Sequence, residues 1–98
     1  MFSAVVISEF MAENDGFLHD QDGDSPDWIE LFNNSLTNVN LAGWHLTDTP
    51  TNLTKWTFPA MNLPSGSFLI VFASGKNRAT NGAELHTNFQ LGTLGVLG

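Results

Sequence analysis

Four short apolar runs recur along the chain, each punctuated by a turn: Asp27-Trp28-Ile29-Glu30-Leu31, Gly43-Trp44-His45-Leu46-Thr47-Asp48, Lys55-Trp56-Thr57-Phe58-Pro59 and Gly66-Ser67-Phe68-Leu69-Ile70-Val71-Phe72. Each has the length of a strand, and no segment between them carries the i, i+3, i+4 repeat of an amphipathic helix. The pattern predicts a small all-β sandwich. A chain of 98 residues holds one domain, 1–98, and one core that removes roughly 60–65% of the unfolded chain's surface from water. Hydrophobic residues make up 42% and charged residues 13%, a balance that folds rather than staying disordered.

The first strand is expected over 4–12, rich in β-branched residues and ended by Asn14-Asp15-Gly16. An acidic stretch runs from Phe17 to Pro26. The second strand, 27–33, alternates so that Ile29 and Leu31 face the core while Trp28, Glu30 and Phe32 face away. By the same logic Trp44 and Leu46 point inward with His45 and Thr47 outward, and Trp56 and Phe58 inward with Lys55 and Thr57 outward. Pro59 stops its strand because it cannot donate to a ladder. Leu63-Pro64-Ser65-Gly66 reads as a type I turn. It leads into the most apolar strand, 67–73, whose two apolar faces mark it as central or covered. A polar loop spans Ser74 to Gly82, followed by a full strand over 85–91 and a stub over 93–97.

The order I-S-E-F, acidic loop, D-W-I-E-L-x-N, G-W-x-L-T-D, W-x-F-P, L-x-x-G-x-F-L-x-V-F-A-S-G, L-H-T-N-F-x-L, from Ile7 to Leu91, resembles the lamin tail domain. More narrowly, it is similar to the bacterial form found in secreted and surface multidomain proteins. The resemblance implies an immunoglobulin-like β-sandwich in which Trp44 and Leu46 are core positions and Trp56, Phe58 and Pro59 form the next strand and its stop. It also implies a non-catalytic interaction or structural module of a larger extracellular or cell-surface protein. Partners would be other domains of that parent chain, or a protein or glycan ligand. The family continues past the position of Leu91 with a strand pair, whereas this sequence runs out in Gly92-Thr93-Leu94-Gly95-Val96-Leu97-Gly98. The expectation is therefore a fragment lacking its last strand or strands. An open sheet edge would then permit weak self-association of an otherwise monomeric domain.

Charge excludes several partners. The net charge is −7 and the only basic residues are Lys55, Lys76 and Arg78, so nucleic acid and anionic lipid are repelled. No stretch reaches the ~20 apolar residues of a membrane helix, and the first residues lack the charged start of a signal peptide. With no cysteine, neither a disulfide nor a thiolate metal site is available.

The acidic stretch is the strongest chemical signal. Asp20-Gln21-Asp22-Gly23-Asp24-Ser25-Pro26-Asp27 puts carboxylates on alternate positions around a glycine, a spacing used by calcium loops, although the glycine and the missing closing glutamate set it apart from an EF-hand. Two like charges held about 4 Å apart repel by up to ~4 kcal/mol at an effective dielectric of 20, a cost that a bound cation removes. Asp20, Asp22, Asp24 and Asp27 are thus candidate calcium ligands, and a calcium-dependent carbohydrate- or protein-binding module is the alternative function. The plainer reading is a solvated acidic loop.

Other signals are weaker. Glu9, Glu13, Asp27 and Glu30 offer carboxylates for a glycosidase pair but no pocket, and Ser74-Gly75-Lys76-Asn77 lacks the glycine and hydroxyl of a phosphate loop. His19, His45 and His86 are far apart and read as isolated surface or edge residues. Trp28 and Phe32, with Phe17, are candidate ligand contacts in an exposed aromatic patch beside Asn33, Asn34 and Asn38, the plainer reading being that they pack under the acidic loop or against a missing strand. Asn33-Asn34-Ser35 and Asn52-Leu53-Thr54 match glycosylation acceptors.

Overall fold

The computed structural model describes residues 5–11, 16, 18–49, 51–91 and 96–97. The described residues form nine strands: β1 (Val5–Met11), β2 (Asp27–Asn33), β3 (Val39–Asn40), β4 (His45–Thr47), β5 (Trp56–Thr57), β6 (Asn62–Leu63), β7 (Phe68–Ala73), β8 (Leu85–His86) and β9 (Val96–Leu97). None of the described residues is helical. The main sheet has the order β1-β2-β7-β8, and shorter pairings join β3 to β6 and β5-β4-β9. All pairs are antiparallel except β7 and β8.

Alternation in β2 and β7 builds the sandwich. Ile29, Leu31, Val71 and Ala73 are buried on one face and join Leu85 in a cluster with Leu41, Leu46, Trp56, Phe58 and Leu63 from the opposing layer and with Phe89 and Leu91 from the segment after β8. The expected core residues Ile29, Leu31, Leu46, Trp56 and Phe58 are all buried, and Trp44 packs against the cluster half-buried. As its apolar faces required, β7 is central, lying between β2 and β8.

Several local expectations are corrected. The turn before β7 is closed by the Ser67 N–H donating to Pro64 O at 3.0 Å. It therefore runs one residue later than expected, with Gly66 at its third position and φ +75°, the conformation that makes glycine favourable in a type II turn. Thr47, expected outward, is buried, because its hydroxyl donates to Thr49 O at 3.2 Å and accepts the Thr49 N–H at 3.0 Å where β4 ends. The strand expected over 85–91 stops after His86. The Thr87 hydroxyl donates to Phe89 O at 2.7 Å and bends the chain, which touches the main sheet again at Gln90 opposite Ser74. Of the terminal stub, Val96 and Leu97 pair with β4 as β9. The rest of that stub, with Ala4, Ala12, Glu13 and Phe17, lies outside the described residues.

Asn33 was expected beside an exposed patch, but it is fully buried at the end of β2. Its amide donates to Leu63 O at 2.8 Å and Thr37 O at 2.9 Å, and its carbonyl accepts from the Ser35 N–H at 3.0 Å and hydroxyl at 2.7 Å. One side chain thus ties β2, the following bend and β6 together, and its amide nitrogen is not presented as a glycan acceptor.

Register arranges the outer face of the main sheet in three rows. Trp28 opposes Phe72, which opposes His86; Glu9 opposes Glu30, which opposes Ile70; Val6 opposes Phe32, which opposes Phe68. A β-bulge between Ile7 and Glu9 sets the phase of β1 against β2.

Candidate functional site

The Asp20 loop folds around its own first carboxylate. The Asp20 N–H donates to Asp24 O at 2.8 Å and the Gly23 N–H to Asp20 O at 3.0 Å, closing a tight turn. Asp20 Oδ1 accepts the N–H groups of Asp22 at 3.0 Å and Asp24 at 2.9 Å. Gly23 carries the left-handed φ of +85° that this turn requires.

A lysine from the loop after β7 fills the centre of the turn. Lys76 Nζ lies 2.6 Å from Asp20 Oδ2, 3.0 Å from Asp22 Oδ2 and 2.8 Å from Asp24 Oδ2. Arg78 Nη2 adds a 2.8 Å contact to the same oxygen of Asp22. Asn77, between the two cations, takes a φ of +55°, which asparagine tolerates better than most residues. The Arg78 backbone is anchored to His86 by a reciprocal pair of N–H···O bonds at 2.8 and 2.9 Å.

Electrostatics follow from these contacts. Burial alone raises the Asp20 pKa, but the Lys76 ammonium and the N–H groups of Asp24 and Asp22 outweigh it and hold the carboxyl below its ordinary value. Asp22 is pulled down to about 2, first by Arg78 and then by Lys76. Lys76 moves the other way, raised by its bonds to Asp20 and Asp24.

The loop is tied to the sheet through Glu84 and His86. Glu84 Oε1 accepts the Gln21 N–H at 2.9 Å and lies 2.9 Å from His86 Nε2. His86 Nδ1 lies 2.8 Å from Ser74 Oγ. His86, expected as an isolated surface or edge residue, lies on the edge strand β8 but is fully buried and stacked on Phe72 at a centroid separation of 5.3 Å. His19 is exposed, and His45 pairs with Thr57 Oγ1 at 2.9 Å.

Of the four candidate calcium ligands, Asp20, Asp22 and Asp24 converge, with oxygens within 4.8 Å of one another. Asp27 is not among them; it opens β2 in register with Ala73. Calcium takes six to eight oxygens. Here three carboxylates already share an ammonium, and the other Asp20 oxygen is occupied by two N–H groups, so the donor set fits an internal cation better than a metal.

The candidate aromatic contacts separate. Trp28 is buried, only 4% exposed, and so is removed from any exposed patch; it shares its row with Phe72, which is also buried. Phe32 is half-buried and stacks on Phe68 at 4.5 Å and 24°, while Phe68 is 58% exposed. Phe68 was missed in the sequence because it opens a strand whose apolar residues all read as interior.

The two packed layers, the central β7 and the single core define an immunoglobulin-like β-sandwich. The model of the Lamin Tail Domain family matches residues 2–95, and the chain belongs to that family. Neither curated proteins nor solved structures gave a match.

Proposed function

We propose that this domain is a non-catalytic interaction module of a larger extracellular or cell-surface protein, with the Asp20 loop as an internal clasp that holds the sandwich in shape. Membership of a family of immunoglobulin-like interaction domains supports the reading. The observation that carries it is that the densest polar cluster is spent on itself: Asp20, Asp22 and Asp24 on Lys76, and Asp22 on Arg78. The arrangement nearest to a catalytic one is the line Ser74, His86, Glu84. Its histidine is wholly buried with both ring nitrogens engaged, and the Ser74 hydroxyl also accepts the Lys76 N–H at 3.1 Å. Such a line suits a structural strut. Assays with activated esters and aryl glycosides test the reading: no turnover is expected, and hydrolysis that disappears in Ser74→Ala or Glu30→Gln would overturn it.

A second reading keeps calcium, favoured by the convergence of Asp20, Asp22 and Asp24. An ion there must displace the Lys76 ammonium from three carboxylates. Calcium-dependent binding to a glycan or protein, lost in Asp22→Ala, would establish it.

A further inference from the structure

We propose that the outer face of β1, β2 and β7 docks a basic, partly apolar protein segment, whose Lys or Arg side chains lie between Glu9 and Glu30 and over the Phe68 ring. The proposal rests on the interaction-module reading and names the chemistry of the partner. Val6 is 41% and Phe68 58% exposed, and Phe32 bridges them in register, so an apolar row crosses three strands in contact with water. Beside it, Glu9 directly opposes Glu30. Like charges in a cross-strand pair are destabilising, and here the relief is slight: the Ser8 hydroxyl donates to Glu30 Oε1 at 2.8 Å. The chain's three basic side chains are committed elsewhere, Lys76 and Arg78 to the Asp20 loop and Lys55 to Asp48 at 2.8 Å.

A carboxylate pair flanked by an exposed aromatic ring fits a cation carried on an apolar chain, because the ring face and the carboxylates attract the same charge. A neutral glycan would cover the rings and leave the carboxylates opposed, and an anionic polymer would be repelled. Addition of the partner as a further strand on β1 is disfavoured by the bulge at Ile7 and Glu9, which breaks the regular edge. Recognition therefore uses the face.

The test is titration of the domain, followed by amide chemical shifts, with a peptide alternating Arg and Leu, a matched peptide with Glu for Arg, and a panel of neutral oligosaccharides. The Arg peptide is expected to shift the amides of Val6, Glu9, Glu30, Phe32 and Phe68 saturably. Its affinity should fall about tenfold in Phe68→Ala and in Glu9→Gln/Glu30→Gln, the scale of one lost cation contact, and stay unchanged in Leu36→Ala, which alters a fully exposed leucine elsewhere. Unchanged melting temperatures would show that the variants fold. Shifts centred on Asp22 and Asp24, equal binding of the Glu peptide, or no saturable shift would each overturn the proposal. Saturable oligosaccharide binding in any of those cases would leave the interaction-module reading standing, whereas enzymatic turnover would remove it.

Discussion

The ammonium of Lys76 lies 2.6 Å from the carboxylate of Asp20, whose side chain is wholly shielded from solvent although 56 residues separate the two in the chain. The contact fastens the loop between β1 and β2 to the loop after β7. Asp20→Ala leaves the Asp22 and Asp24 N–H groups and the ammonium without their shared acceptor. It should cost about 1–3 kcal/mol in chemical denaturation, and Asp20→Asn, which keeps one acceptor oxygen, should cost less. A loss in Asp20→Ala no larger than in an exposed-site control such as Asn52→Ala would refute the clasp.

Stability should have a wide plateau in pH. Asp20 and Asp22 are depressed, Asp22 to about 2, so their contribution is complete above the ordinary carboxylate value near ~3.9. It fades as pH falls towards about 2. Lys76 is raised, so its contribution is complete below the ordinary lysine value near ~10.4 and fades only as pH rises beyond it. Melting curves between pH 2 and 11 should show the acid loss become smaller in Asp22→Asn; an unchanged acid limb would place the titrating groups elsewhere.

Asn33 should be among the least replaceable polar residues. Asn33→Ala removes two donors to backbone carbonyls, Leu63 O and Thr37 O, at about 1–3 kcal/mol. Asn33→Asp should be worse, since it turns an amide donor into an acceptor facing those carbonyls. Equal stability of the aspartate variant would mean that the hydrogen-bond account of this position is mistaken.

The core offers a contrast. Leu31→Ala, at a fully buried position on β2, should cost about 2–5 kcal/mol through lost burial and a residual cavity. Leu36→Ala, at 97% exposure, should fall within about 0.5 kcal/mol of the parent. Denaturant midpoints for the pair decide this.

Period-two alternation made the sandwich legible, because Ile29, Leu31, Leu46, Trp56 and Phe58 could be assigned to one face from their spacing alone. Short strands broke the rule. At Thr47 and Thr87 a hydroxyl bonding to local backbone outweighs the strand period. The acidic loop was visible as charge, but its partners were not, since Asp20 and Lys76 meet only through the fold. One clue was present: with Lys76 and Arg78 two residues apart among so few cations, a cluster of aspartates has few other places to find its counter-charge. Spacing left Trp28 between ligand contact and packing, and it is buried: its row, with Phe72 and His86, is covered, while the Val6, Phe32 and Phe68 row of the same face is open at Val6 and Phe68.

The most direct test of the clasp is thermal unfolding of the parent domain and of Lys76→Met in EDTA, in magnesium and in calcium at about 1–10 mM, a range that would populate an extracellular-type site. The account predicts that the parent melts at one temperature in all three conditions, and that Lys76→Met melts lower in EDTA. A calcium-specific rise in the parent, abolished by Asp22→Ala with Asp24→Ala, would contradict it and make the loop a metal site that displaces its own lysine.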